Sequence, residues 1–187
     1  MRRIVTVLTL LGAAVLPAHA DDSRLLTSAT LADLQSIVVE EGYTILSTGN
    51  DGEVSVRAKT AEGLVFNVIG TVCDSENADG CLGINMQVRY DADGKETLER
   101  INDVNLMWAA TSAWYSVGGT DGKTPTVGIT RYVILDRGAT IGNIKDNLLN
   151  VLAIAPNAAN YIWQAGEYAP GYEAEYEDDE DYFYEDW

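Results

Sequence analysis

Histidine is almost absent from this chain of 187 residues, and its scarcity excludes whole classes of chemistry. The only histidine is His19, which lies in a segment that we expect to be removed. Without an imidazole, the remaining chain has no Ser-His-Asp or Cys-His catalytic group. It also lacks the commonest metal ligand in proteins. We therefore expect no catalytic residue, no cofactor site, no metal site and no enzymatic activity.

Basic residues are also few. The sequence has 12 lysines and arginines against 29 aspartates and glutamates, which gives a formal net charge of −17. Nucleic-acid binding depends on neutralising phosphates with basic side chains, so we expect no nucleic-acid partner. A field of this sign also repels anionic membrane surfaces and favours cations or a basic polypeptide partner.

Cysteine occurs only twice, at Cys73 and Cys81. A structural zinc site needs four ligands, and a redox pair usually has the shorter C-x-x-C spacing. In an exported chain the default for such a pair is a disulfide. The closed loop of nine residues would stabilise the fold by about 2.6 kcal/mol according to the chain-entropy estimate.

The first twenty residues have the pattern of a signal peptide. Two arginines precede an apolar run at residues 4–16, and the cleavage signal consists of Ala18, Ala20 and Asp21. The run is shorter than the roughly 20 residues that a membrane-spanning helix needs. We therefore expect a periplasmic or secreted protein that keeps no membrane anchor after cleavage.

Residues 21–166 have the alternating patterns of an α+β domain. Helical spacing predicts helices at 31–41, at 96–108 and after residue 140, the last one interrupted at Pro156. Period-two alternation predicts strands at 43–48, 53–59, 64–72, 81–90, 111–117 and 126–135. The resulting order is α-β-β-β-β-α-β-β-α. Short connections make the sheet largely antiparallel, packed against the helices.

Two residues are typical helix caps. Thr30 precedes the first helix and has Asp33 three residues later, which is a variant of the capping box. Thr140 precedes the last helix in the same way.

The central helix contains an unusual polar residue. Leu98, Ile101, Asn105 and Trp108 fall on one stripe at about 100° per residue. Asn105 therefore lies in the middle of an apolar face, with Asn102 one turn before it. The pair either faces a ligand or clamps neighbouring backbone, and we favour the clamp because buried polar groups are nearly always satisfied internally.

The last segment, residues 167–187, contains ten acidic residues, seven aromatic residues and no basic residue. Repulsion between like charges is typical of a disordered tail. The alternatives are a segment that binds a basic polypeptide or one that collects divalent cations.

Four stretches resemble the YbjN domain family, whose members are labelled as proposed bacterial sensory transduction regulators. The first is R-I-N-D-V-N-L-M-W at residues 100–108, which is similar to the I-N-x-W-N helix of that family. The others are the opening helix with its Gly-Tyr at residues 31–43, the cysteine pair around an acidic loop, and R-G-A-T at residues 137–140. The resemblance extends from about Leu31 to Trp163.

This resemblance implies a fold similar to type III secretion chaperones and no established enzymatic activity. It marks Ile101, Asn102, Asn105 and Trp108 as the motif helix. The chain departs from the family at three positions of that helix. Val104 replaces the usual tryptophan, and Leu106 and Met107 replace basic residues. The export signal and the cysteine pair indicate a separate exported subgroup.

Three functions are consistent with these features. The first is an exported, non-catalytic binding, chaperone-like or regulatory module that recognises a polypeptide, as a monomer or a homodimer. The exposed positions Leu106 and Met107 would suit such a partner, unless another element covers them. The second is a cation-binding protein that acts through the acidic segment. The third is a carboxylate-dependent hydrolase, for which Asp136 at a strand end is the best candidate.

Overall fold

The computed structural model describes residues 22–50, 52–73, 80–96, 98–119 and 122–163. The predicted signal peptide, its cleavage residues Ala18, Ala20 and Asp21, and the predicted disordered tail at 167–187 lie outside these ranges. Within them, every helix is too short or too polar to cross a membrane.

The described residues form an α+β domain with the predicted order of nine main elements. The helices are α1 (Leu31–Glu40), α2 (Leu98–Met107) and α3 (Ile141–Trp163). The strands are β1 (Leu25–Leu26), β2 (Thr44–Thr48), β3 (Ser55–Lys59), β4 (Val65–Thr71), β5 (Gly83–Asp91), β6 (Ser112–Ser116), β7 (Thr126–Ile134) and β8 (Ala139–Thr140). The two-residue strands β1 and β8 were not predicted, because so short a stretch shows no alternation.

Six strands form one antiparallel sheet in the order β2-β3-β4-β5-β7-β6. Helix α2 carries the chain from β5 to the far edge, and β7 then returns between β5 and β6. Strands β1 and β8 form a separate two-stranded sheet, in which Leu25 lies opposite Thr140. This small sheet holds the start of α3 next to the amino-terminal residues, and the Ile141 amide donates to the Arg24 carbonyl at 3.0 Å.

The helices pack on one face of the six-stranded sheet, where the strands present their aliphatic positions. Each strand places every second side chain on this face, as period-two geometry requires. The largest fully buried side chains come from strands and helices alike and include Phe66, Ile84, Met86, Ile129, Leu34, Ile37, Ile144 and Leu148. They form a single core between the two layers.

The predicted helix caps are confirmed, whereas the predicted interruption of the last helix is not. Thr30 and Asp33 form a capping box at the start of α1, and Thr140 accepts from the Asn143 amide at the start of α3. The predicted interruption at Pro156 is wrong, because α3 continues to Trp163. Pro156 lies on the exposed side of the helix, while the buried face remains continuous through the next turn. Packing of that face offsets the loss of one backbone hydrogen bond.

A buried lysine joins α3 to α1. Lys145 is 8% exposed, and its ammonium lies 2.7 Å from Asp22, 3.0 Å from Glu40 and 3.8 Å from Glu41. The hydrogen bond that Lys145 donates to Asp22, together with the hydrogen bond and negative charge of Glu40, raises the pKa of Lys145 despite its desolvation. The positive charge is therefore compensated within the fold.

Candidate functional site: the open face of the sheet

The second face of the six-stranded sheet carries no helix among the described residues and presents polar side chains instead. We call it the open face. Its strand positions alternate with the buried ones, so the register places them side by side. The open face consists of Arg57, Lys59, Val65, Asn67, Ile69, Asn85, Gln87, Arg89, Gly128, Thr130 and Tyr132, with Ser112 and Trp114 from the edge strand β6.

Two arginines flank β4 on this face. Arg57 of β3 lies opposite Asn67 of β4, and Asn67 lies opposite Gln87 of β5. Arg89 follows Gln87 by two residues and therefore points to the same side. Both guanidinium groups border a depression of about 250 Å³, which is lined by Arg57, Val65, Asn67, Arg89, Asp91, Thr124 and Thr126.

The two arginines influence one another electrostatically. Partial burial lowers the pKa of Arg89, and the positive charge of Arg57 lowers it further. Both groups nevertheless stay protonated at neutral pH, as arginines in proteins do. Arg89 Nε donates to the Gln87 side-chain oxygen at 2.8 Å, which fixes the orientation of that guanidinium. An anion bound between the arginines would reduce their mutual repulsion, and a carboxylate matches the guanidinium fork.

Two aromatic rings lie on the open face, one in the row of Arg89 and one toward the other end of β5. Trp114 of β6 packs against Gly128 of β7, where a Cβ atom would overlap the indole ring. Tyr132 lies over Gly83 in a similar way, and its hydroxyl is 2.7 Å from Thr71 Oγ1. Rings held against glycines offer flat apolar surface beside charged groups, an arrangement that suits binding of a polypeptide.

The chemistry of the open face is therefore that of a binding surface. It combines guanidinium and amide donors with aromatic rings. Within the described ranges, no cluster of three or more histidine, cysteine, aspartate or glutamate side chains could hold a metal ion. Asp136, the hydrolase candidate, is exposed in a turn after β7, where the Gly138 amide donates to the Leu135 carbonyl at 2.8 Å.

The motif helix α2 lies on the other side of the sheet. Ile101 is buried, and Trp108 is half-buried with its ring edge-on to Tyr161 of α3. The predicted position of Leu98 on the inward stripe is wrong, because its side chain is 72% exposed. Asn102, expected to act with Asn105, is exposed as well. Leu98 is the first residue of α2, and helical side chains point toward the amino-terminal end, so Leu98 projects beyond the packed surface.

Asn105 acts as a clamp on the edge strand β6. Its side-chain amide donates to the Ile101 and Ala113 carbonyls, both at 3.2 Å, and its oxygen accepts from the Ala113 amide at 2.6 Å. The side chain thus bonds both backbone groups of Ala113, as a neighbouring strand would. The alternative of a ligand-facing Asn102–Asn105 pair does not fit this geometry.

Leu106 and Met107, near the end of α2, differ in exposure. Leu106 is 74% exposed, whereas Met107 is half-buried. The apolar surface expected there is therefore limited to Leu106 and its exposed neighbours.

A disulfide joins Cys73 and Cys81 at the end of the β4–β5 hairpin. Residues 74–79 of the loop that it closes lie outside the described ranges. Cys81 is fully buried, and its backbone amide and carbonyl exchange hydrogen bonds with Ala29, each at 2.9 Å. The disulfide therefore also fixes the segment before α1 to the hairpin.

The arginine pair was not singled out from the sequence. Arg57 and Arg89 lie in strands whose residues alternate between apolar and polar, and each occupies a polar position. Charged residues are common at such positions because that face of the strand is solvated. Their proximity depends on the pairing of β3, β4 and β5 in one register. Writing out that register for the predicted hairpins would have brought the two positions together.

No family profile matches this chain, and no curated protein matches it. Among solved structures, the crystal structure of YbjN from E. coli, a proposed transcription regulator, matches with a TM-score of 0.51. The match covers 73% of this chain and 97% of YbjN, at 11% sequence identity. Identity this low shows the fold alone. The chain thus has the fold of YbjN, as the resemblance at residues 100–108 and the accompanying motifs predicted.

Proposed function

We propose that this chain is an exported, non-catalytic binding module that recognises a polypeptide partner on its open face. The observation that carries the proposal is the pair Arg57 and Arg89 on the uncovered side of the sheet. The likeness to YbjN, a proposed transcription regulator, supports a regulatory or binding role by analogy of fold.

The chemistry of the open face favours a partner that presents carboxylates. Acidic side chains would accept hydrogen bonds from the two guanidinium groups, and an apolar or aromatic neighbour would pack on Trp114. Partners of this kind associate quickly through charge complementarity, and salt weakens their binding. The basic partner predicted from the sequence concerns a different part of the chain, the acidic residues 167–187.

The test uses a fluorescein-labelled oligoglutamate peptide and a chain that ends at Gly166. Among the described residues the core extends from Leu26 to Ile162, and the shortened chain retains all of it. We expect salt-sensitive binding that Arg57→Gln together with Arg89→Gln weakens at least about tenfold, since one charge-assisted hydrogen bond contributes about 1.5 kcal/mol. Arg137→Gln removes one charge in an exposed turn at the opposite end of β7 and should leave the affinity unchanged.

Two results would reject this proposal. One is the absence of peptide binding at low salt. The other is equal affinity for the parent chain and the chain with both arginines replaced.

Export is the second part of the proposal. It is supported by the signal-peptide pattern of residues 1–20 and by the disulfide between Cys73 and Cys81, which suits an oxidising compartment. Intact mass spectrometry of the protein recovered outside the cytoplasm should give a chain that begins at Asp21 and has no free thiol. A chain that retains Met1, or one with two free thiols, would contradict export through this route.

A further inference from the structure

Several basic residues of the domain differ in whether they form ion pairs. Arg24, Lys95 and Lys145 form ion pairs with carboxylates, and these pairs belong to the fold. Arg57 and Lys59 are exposed on the open face and form no ion pair with any residue in the described ranges. In a chain with a net charge of −17, this face carries Arg57, Lys59 and Arg89 against one carboxylate, Asp91, at the end of β5.

The acidic segment, residues 167–187, has the complementary composition. Ten carboxylates and seven aromatic rings lie within its 21 residues, with no basic side chain. The open face offers two arginines, a lysine and Trp114. The carboxylates of the segment complement the arginines and the lysine, and its aromatic rings complement Trp114. A segment tied to the same molecule also has a high effective concentration at that face.

The described chain ends close to the depression. The Trp163 ring packs against Tyr90 of β5 with ring centroids 5.7 Å apart, and its indole nitrogen donates to Asp93 at 3.0 Å. Tyr90 lies between Arg89 and Asp91, which both line the depression on the opposite face. The chain therefore leaves α3 at the end of the sheet where the arginines lie.

The remaining distance is short for a polypeptide. Three residues lie between Trp163 and Glu167, and the four steps from one Cα atom to the next span about 13 Å in an extended chain. The 21 residues of the segment could span roughly a further 70 Å when extended, whereas neighbouring strands lie only about 4.8 Å apart. Residues beyond Glu167 thus have ample length to pass around the end of β5 and follow the open face.

We propose that residues 167–187 dock on the open face of their own molecule, with carboxylates on Arg57 and Arg89 and aromatic rings near Trp114. This inference rests on the proposed function, because it names the first occupant of the proposed binding site. An acidic partner must then displace the acidic segment from the face. A basic partner competes with the face for the segment and thereby exposes the arginines.

The first experiment measures affinity for the oligoglutamate peptide with and without the acidic segment. The mature chain, residues 21–187, is compared with the chain that ends at Gly166. We expect the mature chain to bind about tenfold more weakly, because a tethered competitor acts at about millimolar effective concentration. Salt should reduce the difference between the two chains, since it screens the internal contact as well.

The second experiment adds a synthetic peptide with the sequence of residues 167–187 to the chain that ends at Gly166. We expect binding in trans, a loss of at least about tenfold on replacing both Arg57 and Arg89 by glutamine, and no change for Arg137→Gln. Far-UV circular dichroism of each variant checks that the fold is intact.

The outcomes separate the two proposals. Equal affinity of the mature and shortened chains for oligoglutamate would overturn docking of the segment and leave the binding role of the open face standing. Binding of the 167–187 peptide that ignores the Arg57 and Arg89 replacements would overturn it too, by locating the contact elsewhere. Failure of every acidic peptide to bind would overturn both proposals.

Discussion

The two faces of the six-stranded sheet are built from alternating residues of the same strands, and they use polar chemistry differently. On the covered side, Arg131 of β7 donates to Asn147 and Asn150 of α3. In the helix layer on the same side, Lys145 of α3 is surrounded by three carboxylates. On the open face, Arg57 lies beside a second arginine across β4. On the covered side the ammonium of Lys145 is compensated by carboxylates of the fold, whereas Arg57 on the open face forms no ion pair with any described residue.

The ion-paired cation of the covered side is needed for stability, whereas the fold does not need the arginine on the open face. A buried charge without a partner costs several kcal/mol, so the ion pairs of the covered face are conditions of stability. An exposed arginine near another one contributes little to stability or opposes it slightly. The proposed function gives Arg57 and Arg89 a ligand that carries negative charge.

The largest expected difference in stability is between substitutions at two adjacent residues of β4. Phe66 is 1% exposed and belongs to the core, while its neighbour Asn67 points to the open face. Phe66→Ala should reduce the free energy of unfolding by about 4 kcal/mol, because it removes buried surface and leaves a cavity. Asn67→Ala should change it by less than about 1 kcal/mol. Urea denaturation followed by circular dichroism measures both, and similar losses would contradict the assignment of the two faces.

Replacing one cation on each side of the sheet should also lower the stability by unequal amounts. Lys145→Gln leaves Glu40 and Glu41 partly buried without their counter-ion and should cost about 2 kcal/mol. Arg57→Gln should be nearly neutral for stability. A destabilising effect of Arg57→Gln equal to that of Lys145→Gln would show that the open-face arginine is structural.

The contribution of Lys145 to stability should depend on pH. Because the hydrogen bond with Asp22 and the charge of Glu40 raise the pKa of Lys145 above its value in the unfolded chain, its contribution is complete below about pH 10. The contribution is lost as pH rises through the raised pKa. Melting temperatures between about pH 8 and pH 12 should therefore converge for wild type and Lys145→Gln at the alkaline end. A constant difference across that range would contradict this contribution of the ion pairs.

Two asparagines of α2 provide a smaller contrast. Asn105→Ala removes two hydrogen bonds with Ala113 of β6 and one with the Ile101 carbonyl of α2, and it should cost about 1.5 kcal/mol. The exposed Asn102→Ala should stay within about 0.5 kcal/mol of wild type. Hydrogen exchange of the Ala113 amide reports on the clamp directly. Unchanged protection in Asn105→Ala would mean that the clamp does not hold β6.

The smallest effect on stability is expected at Gly128. An added Cβ there overlaps the Trp114 ring, so Gly128→Ala should move the ring at a cost of about 1 kcal/mol. Tryptophan fluorescence and affinity for the oligoglutamate peptide should both change. Ala32→Ser, at an exposed position of α1 on the covered side of the sheet, is the control and should change neither. Identical behaviour of both variants would exclude Trp114 from the binding surface.

Much of the fold could be predicted because its elements have clear periods. The order of nine main elements follows from alternation in β5 and β7 and from the caps at Thr30 and Thr140. The insertion of β7 between β5 and β6 could not be predicted, since local patterns do not specify which strands pair over a long connection. The candidate site depends on strand register as well, so the proximity of Arg57 to Arg89 was not evident. The exposure of Leu98 depends on where α2 begins, and helix boundaries are poorly defined by periodicity.

The most direct test of the central claim compares the amide and side-chain NMR spectra of the mature chain and the chain that ends at Gly166. If the acidic segment binds the open face, the Asn67 amide, the Arg89 Nε–H and the Trp114 indole N–H should all differ between the two chains. High salt should abolish these differences, since the contact is electrostatic. Differences restricted to the residues around Trp163, with the open face unchanged, would contradict the account.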